Sequence, residues 1–349
     1  MTKFLSDIYN QPGELLKILG RIDVEQAAAR LARAPHVHIA GIGSSWHAGM
    51  AIATIFQEAG RPVSLFDASE MLHFAELPPG SAALVLSRSG RSTEIVQLVD
   101  KLRRRGCETV AVTNTPDSPL AKGADVALLL GAAFDHMVSV TMYSGIALAG
   151  VLVAAAAVGL PVIQFRERLA ESIEAARSAL PRWSRQVEES DWFNGDAPAY
   201  FLARGASLAS CHETELIWEE AAKSPASAMA TGGFRHGSQE MLREGMRIGL
   251  WIDGERLRTE DLALAADLRK LGARVMLIGQ DLPPDAADLT LTLPPVPARW
   301  QFVIDIMPAQ VAAERLSRAR GVNCDQFRLC PYVVEEEGGL LQSLRYLRT

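Results

Sequence analysis

Cysteine is scarce: Cys107, Cys211, Cys324 and Cys330 are the four in 349 residues, and no two stand at CxxC spacing. That argues against a metal site or a disulfide framework, and the four read as reduced thiols. An excess of positive charge is also lacking. The formal net charge is −6, whereas neutralising the phosphates of a duplex takes a basic face, so no nucleic-acid partner is expected. The arginines at 103–105 and at Arg315, Arg318 and Arg320 read as solvated helix faces. No apolar run has membrane-spanning character. The longest, Ile146 to Leu160, is alanine-rich, holds two glycines and abuts Pro161, which marks a buried core helix. The opening MTKFLSDIYNQPGELLKIL has early acidic residues and no charged region leading into an apolar one, so no signal peptide is expected. A cytoplasmic location, with no membrane partner, follows as the expectation.

What is present is the composition of a globular chain, 48% hydrophobic and 22% charged, long enough for two cores. Apolar runs at Val37 to Ala40, Ala83 to Leu86, Thr109 to Val112 and Val126 to Leu130 alternate with amphipathic stretches of helical length. This rhythm predicts a parallel sheet with crossover helices. It returns after Pro198, with strand-like runs at Tyr200 to Ala203, Arg247 to Ile252, Arg274 to Ile278 and Leu289 to Leu293, and a helix over Thr259 to Leu271. The polar stretch Phe165 to Asp196 separates the two sets. The halves also match each other: VHIAGIGSSWHAGMAIATIFQEAG at Val37 parallels AYFLARGASLASCHETELIWEEAA at Ala199. A shift of about 166 residues superposes LRRRGCETVAVT on LRKLGARVMLIG, so a duplicated α/β unit is expected.

Two loops in the first half place small and hydroxyl residues directly after a strand and ahead of a helix. One holds Gly41, Gly43, Ser44 and Ser45; the other holds Ser87, Arg88, Ser89, Gly90, Arg91, Ser92 and Thr93. Helix N-termini offer unpaired backbone N–H groups, and hydroxyls add donors, so either loop can cradle a phosphate monoester. The alternative for each is that Ser44 or Ser92 simply caps its helix. Neither loop has the Walker lysine, and GIGSSW lacks the third glycine of a dinucleotide fingerprint, so nucleotide binding is not supported. In the second half, Asp253, Gly254, Glu255 and Arg256 fall opposite Ser87 to Gly90, and carboxylates there repel a phosphate. That half instead offers Glu219 and Glu220, followed by GGFRHGS with His236, as an acid–base pair or as ordinary structural residues.

Together GIGSSWHAG, SRSGRST, AVTNTPDSPLAKGADVALLLGA, FRHGS and MPAQVAAERLSRARGVNCDQFR resemble the sugar isomerase (SIS) proteins. The resemblance is to the tandem isomerase part of glucosamine-6-phosphate synthase and its stand-alone relatives, and it covers nearly the whole chain. It implies two Rossmann-like, flavodoxin-type three-layer α/β domains with parallel sheets. The expected organisation is a helical segment at 1–34, a phosphate-binding SIS domain at 35–164, a helical linker at 165–196, a second SIS domain at 197–325 and a tail over the active site at 326–349. The implied phosphate ligands are Ser45, Ser87, Ser89 and Ser92, with Arg88 standing where the synthase has Gln, and the loop reading above adds Gly43 and Ser44. The family's base is a Glu sixteen positions before the His of its HGP motif, which carries over to Glu220 and His236; this chain has HGS. The family's His reaches in from a neighbouring subunit, so a homodimer with shared sites is implied.

The resemblance further implies an isomerase or deaminase of an amino- or keto-hexose 6-phosphate, such as glucosamine 6-phosphate, working through an enediol or enolamine without metal or organic cofactor. A fructosamine-phosphate deglycase and a non-catalytic phosphosugar sensor are the alternatives. The synthase's glutaminase domain has no counterpart here, so glutamine-independent chemistry is expected. The synthase's tail also carries a Schiff-base lysine. Tyr332 falls at about that position, and no lysine follows Lys270.

Overall fold

The computed structural model describes residues 1–339; residues 340–349, the end of the expected tail, lie outside the described residues. The chain divides into two compact units. One comprises Gly13–Arg166 and the segment from Gln326 onward, and the other comprises Met1–Pro12 and Glu167–Asp325.

In chain order, α1 (Lys3–Arg21) and α2 (Glu25–Arg33) lead into β1 (Val37–Gly41), α3 (Ser44–Glu58), β2 (Val63–Asp67), α4 (Ala68–Phe74) and β3 (Ala82–Leu86). There follow α5 (Thr93–Arg104), β4 (Glu108–Thr113), α6 (Pro119–Gly123), β5 (Val126–Leu129) and α7 (Thr141–Ala157). All pairings are parallel, in the order β2-β1-β3-β4-β5. Alternation along the strands sends Ala40, Ala83, Val85 and Ala111 to one face, where they pack under Ile95, Leu98 and Leu102 of α5. Ile39 and Leu86 point the other way, toward Gly49 of α3. Helix α7 is buried along nearly its whole length, as a helix without charges must be to remain out of water. No helix among the described residues is long and apolar enough to cross a membrane.

After the long α8 (Val162–Glu189), the pattern repeats with β6 (Ala199–Ala203), α9 (Ser207–Ala222), β7 (Ala226–Ala230), α10 (Thr231–Phe234), β8 (Arg247–Trp251), α11 (Arg258–Lys270), β9 (Arg274–Gln280), β10 (Leu289–Leu293) and α12 (Phe302–Ala319). This second sheet is also wholly parallel, in the order β10-β9-β8-β6-β7, which is the first order read from the other edge. The two sheets are therefore the same fold twice. The fully buried Arg247 donates to the carbonyls of Trp192, Phe193, Asn194, Gly195 and Ala197, tying the chain ahead of β6 to the start of β8. Five accepting oxygens account for burying a guanidinium there.

Eight strands fall where the apolar runs predict them. The two without a sequence signal, β2 and β7, hold the same edge position in the two sheets. Every β2 residue is only partly buried, and β7 is likewise partly buried and ends exposed, so neither needs a continuous apolar run.

Candidate functional site

In each sheet the strand order reverses between two neighbouring strands, β1 and β3 in the first and β6 and β8 in the second. Loops leaving the carboxyl ends of such strands diverge to opposite faces and open a crevice, where ligands of doubly wound sheets bind. The two hydroxyl loops read from the sequence are the loops that follow β1 and β3.

The loop after β1 turns directly into α3. A Cβ on Gly41 would lie 2.7 Å from the backbone carbon of Ser45 and 2.8 Å from the nitrogen of Trp46, so only glycine lets the strand end approach the helix this closely. Gly43 holds the N-cap position without a side-chain cap, and Ser44 and Ser45 form the first turn of α3. Ser45 is buried and Ser44 half-buried.

The loop after β3 is braced from below. The Arg88 carbonyl accepts from the Asn114 amide at 3.1 Å and the Thr113 hydroxyl at 3.2 Å, and the Gly90 carbonyl accepts from the Leu120 amide at 3.2 Å. Gly90 has φ 60°, and a Cβ there would meet Ser118 Oγ at 2.4 Å, so this position is closed to side chains twice over. Ser87 Oγ accepts from the Gly90 amide at 3.1 Å and Ser89 Oγ from the Arg91 amide at 3.2 Å. Both hydroxyls act as acceptors in these contacts, which leaves each O–H proton to donate elsewhere. Ser92 occupies the N-cap of α5, yet its side chain makes no cap hydrogen bond; the serine that does cap is Ser118, which accepts from Ala121 at the start of α6. Simple capping thus does not account for Ser92, nor for Ser44, which is already inside its helix.

Contacts the sequence did not indicate complete this end of the first sheet. Asn114 exchanges two hydrogen bonds with Ala132, and Asp135 accepts from the amides of Val140, Thr141 and Met142, each at 2.9 Å, supplying the α7 N-terminus with its anion. The single carboxylate in the run AAFDHMVSV, just ahead of an uncharged helix, is the signal that marks it. The C-terminal segment adds Tyr332, whose ring lies under the Arg88 guanidinium with Cζ 3.9 Å from the ring centroid. Arg88 Nη2 donates to the Tyr332 carbonyl at 2.6 Å, the Tyr332 hydroxyl donates to the Asp135 carbonyl at 3.1 Å, and the Thr93 amide donates to the Val334 carbonyl at 3.1 Å.

Glu220 and His236 both lie in the other unit. Glu220 is half-buried in the last turn of α9, and His236 is exposed in the turn just after α10, its amide donating to the Gly233 carbonyl at 3.0 Å. Partial desolvation, and then the Glu215 carboxylate one turn back, hold neighbouring Glu219 above its ordinary pKa. Lys223, three residues beyond Glu220, is not on the helix. It is the left-handed residue that ends α9, at φ 50°, and its ammonium folds back onto the Glu220 carbonyl oxygen.

In the second sheet the crevice loops hold carboxylates of the chain itself. Gly205 has the same φ of 54° as Gly43, which sets Ser207 in register with Ser45. Ser207 Oγ donates to Asp305 Oδ2 at 2.7 Å, and burial pushes the fully enclosed Asp305 up to about 6. After β8, the Asp253 carboxylate accepts from the amides of Glu255, Arg256 and Leu257 at 3.3, 2.9 and 2.8 Å. Arg204 pairs with the buried Asp261 at 2.8 Å, yet burial still holds that carboxyl above its ordinary pKa.

A doubly wound α/β protein with a hydroxyl-lined crevice in one of two like sheets is the class these observations define. Residues 30–159, the stretch that holds the first sheet and α3 to α7, match the SIS domain family model. The chain is 26% identical over 337 residues to the glutamine–fructose-6-phosphate aminotransferase [isomerizing] of Pyrobaculum aerophilum, with 93% of this chain and 56% of that protein covered. It thus spans little more than half the length of that relative. Among solved structures, the C-terminal domain of glucosamine-fructose-6-phosphate aminotransferase from Francisella tularensis superposes with a TM-score of 0.83 at 20% identity, covering 93% of this chain and 98% of that one. The glucosamine-6-phosphate deaminase of Thermotoga maritima gives 0.80 at 22%, with 95% and 99% covered. The tagatose-6-phosphate ketose/aldose isomerase of Escherichia coli gives 0.78 at 19%, with 95% and 96% covered. These three bear on the fold alone.

Proposed function

We propose that this chain is a phosphosugar isomerase acting on an amino- or keto-hexose 6-phosphate, with deamination of glucosamine 6-phosphate as the leading reaction. The observation that carries the reading is that both hydroxyl loops leave the adjacent strands β1 and β3 at the point where the strand order reverses. In this reading Ser45, Ser87, Ser89 and Ser92 donate to the phosphate, Arg88 adds charge, and the amides of the loop around Gly43 and Ser44 complete the cradle. The phosphate-binding domain is 35–164 and the second domain 197–325.

Glu220 carries the proton between C1 and C2 of the open-chain sugar, and His236 of a second copy assists ring opening, which makes the working form a homodimer. With Tyr332 near the position of the synthase's tail lysine, the route runs through a noncovalent enediol or enolamine. No metal or organic cofactor enters this scheme.

The test is a panel of hexosamine and fructosamine 6-phosphates incubated with the protein, with ammonia, free amine and ketose followed separately. Ammonia with fructose 6-phosphate from glucosamine 6-phosphate supports the proposal. An amine released only from fructosamine phosphates replaces it with a deglycase. Tight binding without turnover of any member makes the chain a sensor.

A further inference from the structure

Arg88 makes two contacts to one residue of the C-terminal segment. Its guanidinium stacks on the Tyr332 ring, and its Nη2 donates to the Tyr332 backbone carbonyl. Tyr332 is held in turn by its hydroxyl on the Asp135 carbonyl, and the segment is pinned again two residues on, where the Val334 carbonyl accepts from the first amide of α5. The neighbouring contact of His73 Nε2 with the Glu337 carboxylate, at 3.4 Å, is exposed and adds little. An arginine side chain is long and loses much rotamer freedom when it grips a ligand. A ring beneath the guanidinium and a carbonyl at one edge remove that freedom beforehand and leave the other N–H donors for an anion. The same loop carries Ser87 and Ser89, whose backbone-bonded oxygens leave their protons to donate.

We propose that Arg88 and Tyr332 act as one unit: Tyr332 is a positioning residue that holds the guanidinium ready for a phosphomonoester dianion, and the bound dianion in turn secures residues 331–334 against the hydroxyl loop. The ligand class that closes the segment is then the phosphate and not the sugar ring. This rests on the phosphosugar reading above and adds the selecting group.

Fructose 6-phosphate is titrated calorimetrically into the wild-type protein, Arg88→Gln, Tyr332→Leu, Tyr332→Phe and the Arg88→Gln/Tyr332→Leu double variant, with fructose as the uncharged control. The expected result is a loss of about tenfold in affinity for each of Arg88→Gln and Tyr332→Leu, with the double variant losing about tenfold and not a hundredfold. Tyr332→Phe keeps the ring and the carbonyl and should restore near wild-type affinity. Trypsin cleavage after the exposed Arg328 should be slowed by fructose 6-phosphate but not by fructose in the wild type, and this protection should vanish in Tyr332→Leu. Wild-type affinity in Tyr332→Leu, additive losses in the double variant, or protection by fructose would overturn the Arg88–Tyr332 unit and leave the phosphosugar reading standing. No binding of fructose 6-phosphate by the wild type would overturn both.

Discussion

The two sheets carry one topology and opposite chemistry at the same crevice. After β3, the loop from Ser87 to Ser92 presents hydroxyl groups whose oxygens are held by backbone amides. After β8, the Asp253 carboxylate takes three successive backbone amides for itself. At the other loop, Ser45 lies in the first turn of α3, which has no side-chain cap, whereas its counterpart Ser207 donates to the buried Asp305. A crevice at a strand-order reversal always offers donors, and what decides whether an external anion can use them is whether the chain supplies its own. The proposed division of labour, phosphate binding at the first sheet and proton transfer by Glu220 and His236, is the one this comparison favours.

The sharpest way to break that division of labour is Glu220→Gln. Loss of a general base costs on the order of 10²–10⁴ in rate, so solvent deuterium should no longer exchange into C1 or C2 of the sugar phosphate. Affinity for fructose 6-phosphate should stay unchanged. Exchange at the wild-type rate would return Glu220 to an ordinary role at the end of α9, and mass spectrometry after borohydride treatment would then be used to look for sugar on Lys223.

The next effect concerns pH and the second sheet's internal carboxylate. The folded pKa of Asp305, about 6, lies above its reference value of 3.8, so the folded state holds the proton more tightly than the unfolded chain. The associated stability is fully present below the unfolded value and is lost as pH rises through the folded one. A shift of this size is worth on the order of 3 kcal/mol. Urea midpoints should therefore fall between about pH 4 and about pH 6.5 in the wild type, and Asp305→Asn should flatten that part of the slope. An equally steep slope in the variant would assign the pH dependence to other groups.

Binding gives the third test. Ser87→Ala with Ser89→Ala should weaken fructose 6-phosphate by roughly 1–3 kcal/mol, through two lost charge-assisted hydrogen bonds. Calorimetry that finds the affinity unaltered would remove the phosphate from this loop. The smallest effect is expected from Asp253→Ala, which deletes an anion serving only its own loop. Thermal unfolding should show a loss of about 0.5–2 kcal/mol, the range for removing a cap-like acceptor. The isomerase rate constant should not change, and a large drop in it would mean that the second crevice also takes part in catalysis.

Much of this was legible in the chain. Eight strands announced themselves as apolar runs, six of them inner strands covered on both faces, and the hydroxyl loops stood out because small and polar residues follow such runs immediately. The edge strands β2 and β7 did not, since a half-covered strand such as VSLFD or ASAMA needs no apolar run. The carboxylates at 253 and 255 were visible as repulsive to a phosphate, but the three amides gathered by Asp253 were not. Nothing in the sequence indicated that Lys223 ends α9, because a left-handed terminal residue is a matter of backbone conformation and no glycine marks the spot.

The amino-acid order by itself determined the repeated α/β pattern, the placement of hydroxyls in one half and carboxylates in the other, and the absence of a lysine after Lys270, since each depends only on neighbours along the chain. Only the tertiary structure decided that Arg88 meets Tyr332, that Asp135 serves both α7 and the Tyr332 hydroxyl, and that Ser207 is matched to Asp305. Those pairs join residues far apart in sequence, and what brings them within a few ångströms is the parallel sheet, whose crossovers deliver every strand end to the same edge.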